Sequence, residues 1–152
     1  MKILMVCLGN ICRSPLAEGV LQQKVDQRRL NWKVDSAGTG SWHIGSPPYH
    51  LSQKVALRHG VDISHLRGRQ LVKEDLLEFD RIYFMDEANY WDAKRIAGSY
   101  WDASKCSLLL DELYPGQWQN VPDPYGYPEK NFEEVFQMIE EACEAIIRKY
   151  GV

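Results

Sequence analysis

The chain has 152 residues, of which 45% are apolar and 26% charged, and its formal net charge is −3; this suffices for one packed core, so we expect a single domain over residues 1–152. The charge balance gives no general electrostatic reason to bind nucleic acid or an anionic membrane surface, and any anion site must therefore be local. The longest apolar run, residues 3–8, is too short to span a membrane, and Asn10 and Arg13 interrupt a signal-peptide pattern, so the sequence predicts a cytoplasmic protein.

Strand-like and helix-like patterns alternate from the start of the chain. An apolar strand is predicted over residues 2–7. After Ser14 and Pro15, the apolar residues keep helical spacing as far as Val25. Proline is favourable at the first helical position, so we expect this helix to begin near Pro15.

Three further strands and a final helix complete the pattern. Trp32 and Val34 alternate with polar residues in a second strand, and further strands are predicted at 82–85 and 106–110. The last helix is amphipathic, with a capping-box pattern that begins at Asn131. Strands that alternate with helices are typical of βα units, so the predicted fold class is α/β with a parallel sheet.

The stretch CLGNICRS, residues 7–14, follows the first predicted strand directly. Ligands of parallel sheets bind beyond the carboxyl ends of strands, where the chain turns into a helix, and Cys7 lies at that point. The next five residues can form a nest of backbone N–H groups that binds an oxyanion and favours a thiolate. The sequence thus predicts a phosphate-binding loop between strand 1 and helix 1, formed by Leu8, Gly9, Asn10, Ile11 and Cys12.

Arg13 and Ser14 complete this motif. Arg13 supplies a planar guanidinium that can hold two oxygens of a phosphoryl group, and Ser14 can donate a hydrogen bond to the Cys7 thiolate. A buried cysteine after a strand is commonly an inert apolar residue, but the whole string C-x5-R-S favours catalysis. The sequence contains neither a Walker-type loop nor G-x-G-x-x-G, and its histidines lack metal-ligand spacing, so we expect no cofactor and no metal.

The chain has four cysteines, an even number, at Cys7, Cys12, Cys106 and Cys143. A chain of this size with an ordinary core does not need disulfides, so reduced thiols are expected. Cys12 is nevertheless close enough to Cys7 in sequence for a disulfide to form after peroxide oxidises Cys7, which would protect it. The alternative is that Cys12 only fills the core beneath the loop.

Three segments, VCLGNICRSP, VDSAGTG and DPYG, resemble the low-molecular-weight protein tyrosine phosphatase family in order and separation. HGVDISHLRGRQL and FDRIYFMDEAN are also in register, so the resemblance covers nearly the whole chain. It implies a three-layer domain, in which helices flank a four-stranded parallel sheet, and a metal-independent two-step phosphatase. It also implies that Cys7 is the nucleophile, that Arg13 holds the phosphoryl group, and that Asp123 is the general acid and then the base.

The resemblance also suggests supporting residues. Asn10 matches the residue that holds the loop in a left-handed turn, which asparagine tolerates well. Ser36 and His65 match its supporting network, although a lone histidine is more often structural. A phosphotyrosine pocket needs aromatic walls, and three residues are candidates for them: Trp42, Tyr125 and Tyr127. Animal members have two adjacent tyrosines after Asp-Pro, whereas here Gly126 separates them, which leaves open a regulatory role for these tyrosines and a solvent-facing Tyr127.

Two other functions remain to be tested. Arsenate reduction on this fold needs relay thiols near the loop, whereas Cys106 and Cys143 are expected to be buried in a strand and a helix. A non-catalytic phosphotyrosine-binding module could dispense with Cys7 and Asp123, but both are present. The expected partners are a tyrosine-phosphorylated protein, for which a cognate tyrosine kinase is one candidate, and phosphate or another oxyanion in the active site.

Overall fold

The computed structural model describes residues 1–152 and consists of a parallel sheet flanked by helices. The strands are β1 (Lys2–Cys7), β2 (Lys33–Gly38), β3 (Arg81–Phe84) and β4 (Cys106–Leu108). Their order across the sheet is β2-β1-β3-β4, and all neighbours are parallel. The predicted α/β class and the four-stranded sheet are thereby confirmed. Since β1 is an inner strand, its carboxyl end lies in the middle of one sheet edge.

Five helices connect or follow the strands: α1 (Arg13–Gln27), α2 (His50–Arg58), α3 (Asp75–Glu78), α4 (Glu87–Ala97) and α5 (Glu129–Tyr150). The helices α1, α2 and α5 cover one face of the sheet, and α3 and α4 cover the other. No helix has both the length and the apolar composition needed to cross a bilayer.

The strand β1 is apolar after Lys2 because it is buried on both faces. Ile3 and Met5 belong to the larger core cluster with α1 and α5, whereas Leu4 and Val6 belong to the smaller cluster with α4. Successive side chains of a strand point to opposite faces, so one apolar run serves both layers. This burial holds the carboxyl end of β1, and with it the start of the phosphate-binding loop, in a fixed position.

The helix α1 begins at Arg13, two residues earlier than the sequence pattern predicted. Cys12 is the N-cap, and Pro15 is the third helical residue. Proline is tolerated there because the first N–H groups of a helix have no partner within the helix. The earlier start places Arg13 and Ser14 in the first turn, directly beside the loop.

Two other predicted boundaries are wrong. The helix α5 begins at Glu129 after the N-cap Pro128, so Asn131 lies within the first turn and does not cap the helix. The fixed φ of proline suits this position, since it pre-organises the entry into the helix. The strand β4 ends at Leu108, and a 3-10 helix (Leu109–Glu112) follows, whose first two leucines are buried against the larger core.

Candidate active site

The phosphate-binding loop, residues 8–12, turns sharply at Asn10. The φ of Asn10 is 56°, in the left-handed region that asparagine tolerates better than most residues. This turn directs the Asn10 backbone N–H to the Cys7 Sγ, at 3.3 Å. The Ser14 Oγ lies 2.9 Å from the same sulfur. Cys7 therefore has two neighbouring groups that can donate hydrogen bonds to a sulfur anion.

The side chain of Asn10 links the loop to the neighbouring segments. Its Nδ2 donates to the Oγ atoms of Ser14 (2.8 Å) and Ser36 (2.9 Å), and its Oδ1 accepts from the backbone N–H of Arg69 at 3.0 Å. Ser36 in turn donates to Glu18 Oε1 over 2.6 Å. Every polar atom of the Asn10 amide is thus used, which fixes the loop before any ligand binds.

The structure does not place His65 in this network. Its side chain is exposed and lines a separate cleft, which it shares with Glu18. The glutamate accepts the Ser36 hydrogen bond instead, and burial raises the pKa of Glu18 to about 7, although the bond from Ser36 lowers it. Sequence reasoning missed Glu18 because a polar residue in an amphipathic helix carries no motif of its own.

Arg13 is buried beside the loop, with one guanidinium nitrogen already engaged. Its Nη1 donates to Asp86 Oδ2 at 2.7 Å and to the carbonyl oxygen of Val121 at 2.8 Å. Burial opposes the charged form, but Cys7 and Asp86 raise the pKa of Arg13 above its ordinary value. The remaining N–H groups of the planar fork are free to meet an oxyanion.

Asp86 was not assigned a role from sequence, although it lies two residues beyond the end of β3. The rule that located Cys7 at the end of β1 applies equally to the end of β3, because parallel strands bring their carboxyl ends to one edge. Asp86 also caps α4, where its side chain accepts from the Asn89 N–H. The Asp86 carboxylate therefore both caps α4 and orients Arg13.

Asp123 lies close to Arg13. Its Oδ2 is 3.9 Å from Arg13 Nη2, and its Oδ1 accepts from the Tyr125 N–H at 3.1 Å. The side chain is 46% exposed, so water and substrate can reach it. A carboxyl group in this position can exchange a proton with a group bound above Cys7.

A cavity of about 150 Å³ opens above the loop. It is lined by Cys7, Leu8, Gly9, Ile11, Cys12, Arg13, Trp42, His43, Asp123 and Tyr125. The structure thus brings most of the candidate residues to one opening. Asn10 and Ser14 do not line it, but both contact the Cys7 sulfur. Tyr127 lies outside the lining and is 60% exposed, as the solvent-facing alternative expects.

Two wall residues were missed from sequence. His43 packs over Gly9, where an added Cβ would lie 3.2 Å from the histidine Cδ2, so a side chain there would require His43 to shift by a few tenths of an ångström. Tyr49 supports Tyr125, with ring centroids 5.1 Å apart, and stacks on the buried Phe132 at 5.6 Å. The wall formed by Tyr125 is therefore anchored to the core of the protein.

Cys106 and Cys143 lie apart from this cavity. Burial raises the pKa of Cys106 to about 12 and raises the pKa of Cys143 strongly as well. Neither residue lines the opening, which gives no support to a thiol relay from Cys7. No three or more His, Cys, Asp or Glu side chains are grouped so that they could hold a metal ion.

Comparison with known proteins agrees with this geometry. A family model described as low molecular weight phosphotyrosine protein phosphatase matches residues 2–150. The chain is 40% identical to the low molecular weight protein-tyrosine-phosphatase YfkJ of Bacillus subtilis, over 96% of this chain and 93% of that protein. The crystal structure of YfkJ superposes with a TM-score of 0.91, at 37% identity, over 99% of this chain and 94% of the other.

Two further relatives extend the comparison. The human low molecular weight phosphotyrosine protein phosphatase is 40% identical over 97% of this chain and 94% of that protein. The structure of a Drosophila arginine phosphatase superposes with a TM-score of 0.90, at 34% identity, over 100% of this chain and 99% of the other. The chain therefore belongs to the low molecular weight phosphotyrosine protein phosphatase family.

Proposed function

We propose that the chain hydrolyses phosphotyrosine in proteins by two successive displacements at phosphorus, through a phosphocysteine on Cys7. The observation that carries this proposal is the shared cavity, which the Cys7 thiol, the Arg13 guanidinium and the Asp123 carboxyl all border. A nucleophile, a cationic clamp and a proton donor are the groups that phosphoryl transfer from a phenol requires.

In the first step, Cys7 Sγ attacks phosphorus as the bond from phosphorus to the phenolic oxygen breaks. The backbone N–H groups of the loop and the Arg13 guanidinium meet the charge on the phosphoryl oxygens. Asp86 fixes that guanidinium beforehand, so little reorganisation accompanies the reaction. Asp123 donates a proton to the departing oxygen, and tyrosine leaves as a neutral phenol.

In the second step, water attacks the phosphocysteine and releases phosphate. Asp123, now a carboxylate, removes a proton from the attacking water. The Ser14 Oγ, 2.9 Å from Cys7 Sγ, can donate a hydrogen bond to the departing thiolate. These two reaction steps need neither a metal nor a cofactor, because Arg13 supplies the positive charge.

The walls of the cavity favour an aromatic phosphate ester. Leu8 and Ile11 give apolar sides, and Trp42 and Tyr125 stand at the mouth, where a tyrosine ring can lie between them. A guanidinium group would have to be buried among the same apolar walls, with Asp123 as the one acidic side chain in the lining. We therefore expect phosphotyrosine to be preferred to phosphoarginine, the substrate that the name of the Drosophila relative indicates for that protein.

The proposed partner is a tyrosine-phosphorylated protein, and a cognate tyrosine kinase is one candidate. Trp42 is 71% exposed and Tyr125 54% exposed, so the opening lies at the surface, where a phosphotyrosine on another chain can enter. A cytoplasmic location is part of this proposal, because the mechanism requires Cys7 to remain reduced and that compartment keeps thiols reduced.

Phosphate release from peptides that carry phosphotyrosine, phosphoserine or phosphoarginine tests the proposal. We expect turnover of the phosphotyrosyl peptide in the presence of a chelator, and much slower release from the other two. Binding without turnover would indicate a binding module, and preferential release from phosphoarginine would overturn the substrate assignment. Thiol-dependent reduction of arsenate, with no ester hydrolysis, would indicate the reductase instead.

A further inference from the structure

Asp123 is carried by a segment outside the helices and strands, residues 114–123, which we name the acid loop. Val121 fixes the loop near its end: its N–H donates to the carbonyl oxygen of Met85 at 2.8 Å, and its own carbonyl accepts from Arg13 at 2.8 Å. Val121 is fully buried. The end of the acid loop is therefore attached both to β3 and to the residue that holds the phosphoryl group.

A second attachment joins the acid loop to the first turn of α4. Asn120 Oδ1 accepts from the Glu87 N–H at 2.9 Å. Trp91, one turn further along the helix, donates from its indole nitrogen to Glu87 Oε1 at 3.4 Å. The exposed start of α4 thus forms a platform against which the loop lies.

Trp118 provides a third attachment, through its aromatic ring. It stacks on Trp91 with ring centroids 6.3 Å apart and planes inclined by 5°, and it meets the edge of Tyr90 at 5.1 Å and 86°. Offset stacking and edge-to-face contact are the preferred arrangements of aromatic pairs. Trp118 and Trp91 are 42% and 44% exposed, so it is their mutual contact, rather than full burial, that holds them.

The backbone at Trp118 is strained. Its φ is 52°, in the left-handed region that a bulky side chain rarely adopts. Such a conformation persists only where the surroundings impose it, and it is found preferentially at functional sites. At Trp118 this conformation accompanies the ring contacts with Trp91 and Tyr90.

Asp123 itself has few contacts that could fix it. Its hydrogen bond from Tyr125 is local, and its approach to Arg13 is 3.9 Å. The position of its half-exposed carboxyl group therefore depends on how the backbone on either side of it is held. A general acid must lie within hydrogen-bond reach of the leaving oxygen, so a shift of the acid loop would reduce its contribution.

We propose that Trp118 and Trp91 are positioning residues for Asp123: their stacking holds the acid loop against α4 and keeps the carboxyl group in reach of the leaving oxygen. The inference rests on the proposed role of Asp123 as the general acid. Because Asp86, at the start of the same helix, orients Arg13, one helix end would position both the phosphoryl-binding group and the proton donor.

A positioning role predicts a loss that depends on the leaving group. Replacing Trp118 should lower kcat/KM for phosphotyrosine about 10-fold, a part of the ~10²–10⁴-fold that a general acid contributes. Dinitrophenyl phosphate, whose leaving group needs little protonation, should be hydrolysed almost as fast as by the parent. Phosphate, used as a competitive inhibitor, should bind equally well, because the loop of residues 8–12 and Arg13 are untouched.

Four variants separate this role from general destabilisation. Trp118→Asn removes the ring but tolerates a left-handed φ, whereas Trp118→Phe keeps an aromatic ring. Trp91→Ala removes the partner ring from the other side. Trp101→Ala is the matched control: Trp101 packs on Tyr90 at 5.1 Å, in the same aromatic cluster, but forms no aromatic pair with the acid loop. The melting temperature of each variant is measured alongside its kinetics.

We expect Trp118→Asn and Trp91→Ala to show the same leaving-group-dependent loss of activity, and the double variant to lose no more than either single variant. Trp118→Phe and Trp101→Ala should keep most of the activity. Equal losses on good and poor leaving groups, no loss, or the same loss in Trp101→Ala would overturn the inference. Asp123→Asn is assayed in parallel. If the loss of activity in Asp123→Asn depends on the leaving group and the loss in Trp118→Asn does not, only the positioning role is refuted. If the loss in Asp123→Asn does not depend on the leaving group, the proposed general acid is refuted as well.

Discussion

Arg13 donates from Nη1 to Asp86 Oδ2 over 2.7 Å, and both side chains are largely buried, at 3% and 21% exposed. The pair joins the first turn of α1 to the N-cap of α4, across 73 residues of sequence. A buried charge left without its partner is costly, so each group holds the other in place. The guanidinium is consequently oriented before an anion arrives, which is the arrangement that electrostatic catalysis requires.

Asp86→Asn should lower activity more than stability. An asparagine has one side-chain oxygen, which can accept from the Asn89 N–H or from Arg13, but its amide nitrogen can only donate. We expect the cap to survive and kcat/KM to fall about 10- to 100-fold, the equivalent of a charge-assisted hydrogen bond worth ~1.5–3 kcal/mol. Asp86→Ala should also lose the cap, which costs about 1 kcal/mol of unfolding free energy. Kinetics and thermal unfolding of both variants measure this; full activity in Asp86→Asn would contradict it.

Cys7→Ser should abolish turnover and still bind phosphate, because the loop and Arg13 remain. Arg13→Ala should lose both binding and turnover, since it removes the cation that meets the phosphoryl charge. Arg13→Lys should recover little, because an ammonium cannot form the two parallel contacts of a guanidinium. Calorimetric titration with phosphate and assays of ester hydrolysis measure the two properties separately. Ordinary activity in Cys7→Ser would refute the proposed nucleophile.

The nucleophile and the phosphate-binding loop are predictable from sequence because they are local. Cys7 and Arg13 lie on one turn between a strand and a helix, and the apolar runs around them specify those two elements. Asp123 is different, since Asp-Pro alone indicates only a turn. Its candidacy came from resemblance to a family, and its proximity to Arg13 depends on the fold.

The residues that sequence reasoning missed are brought to the site by tertiary structure. Asp86 reaches Arg13 because β1 and β3 are adjacent and parallel, and Glu18 reaches Ser36 because α1 packs beside β2. Tyr49 is placed by stacking on Phe132 in the final helix. None of these contacts leaves a short-range pattern in the chain. His65 was assigned to the support of Asn10 by resemblance alone, and the fold brings Glu18 to Ser36 instead.

Glu18 should make stability depend on pH. Burial raises the pKa of Glu18 from 4.5 to about 7 in the folded protein, so the folded state binds this proton more tightly than the unfolded chain does. The free energy of unfolding should therefore fall as pH rises from about 4.5 to 7, by a total on the order of 3 kcal/mol, and the contribution should be constant above that range.

Glu18→Gln should remove this dependence while keeping an acceptor for Ser36. We expect the free energy of unfolding of the variant, relative to that of the parent, to be higher at pH 8 than at pH 5. Urea unfolding at both pH values measures it. Glu134→Gln, an exposed position on α5, is the matched control. A difference between Glu18→Gln and the parent that is the same at both pH values would contradict the assignment.

Cys12 should protect Cys7 against irreversible oxidation. The two residues border the same cavity, and burial, followed by the neighbouring Cys7, raises the pKa of Cys12 to about 12. Cys12 therefore keeps its proton, and peroxide should oxidise Cys7 to a sulfenic acid. Condensation of that group with the Cys12 thiol releases water and forms a disulfide, which a thiol reductant reverses.

Activity after peroxide and then reductant measures this protection. The parent and Cys106→Ser, the control in which a distant thiol is removed, should both recover. Cys12→Ser should remain inactive, because its sulfenic acid is oxidised further. Equal recovery in all three proteins would show that Cys12 only fills the core.

The decrease in kcat/KM that Asp123→Asn causes should be greater for leaving groups that depend more on protonation. The phenolate of tyrosine leaves poorly, so kcat/KM for phosphotyrosine should fall by ~10²–10⁴-fold, whereas an activated ester should lose much less.

The same substitution should also slow the second step, because the carboxylate that activates water is gone. Phosphocysteine then accumulates when an activated ester transfers its phosphoryl group quickly, and rapid mixing should show a burst of phenol before a slow steady state. Glu78→Gln is a suitable control, since Glu78 is an exposed carboxylate at the end of α3 and does not line the cavity. If Asp123→Asn slowed good and poor leaving groups equally, the proton would have to come from another group. Asp86 would then be the first candidate, because it is the other carboxylate in contact with Arg13.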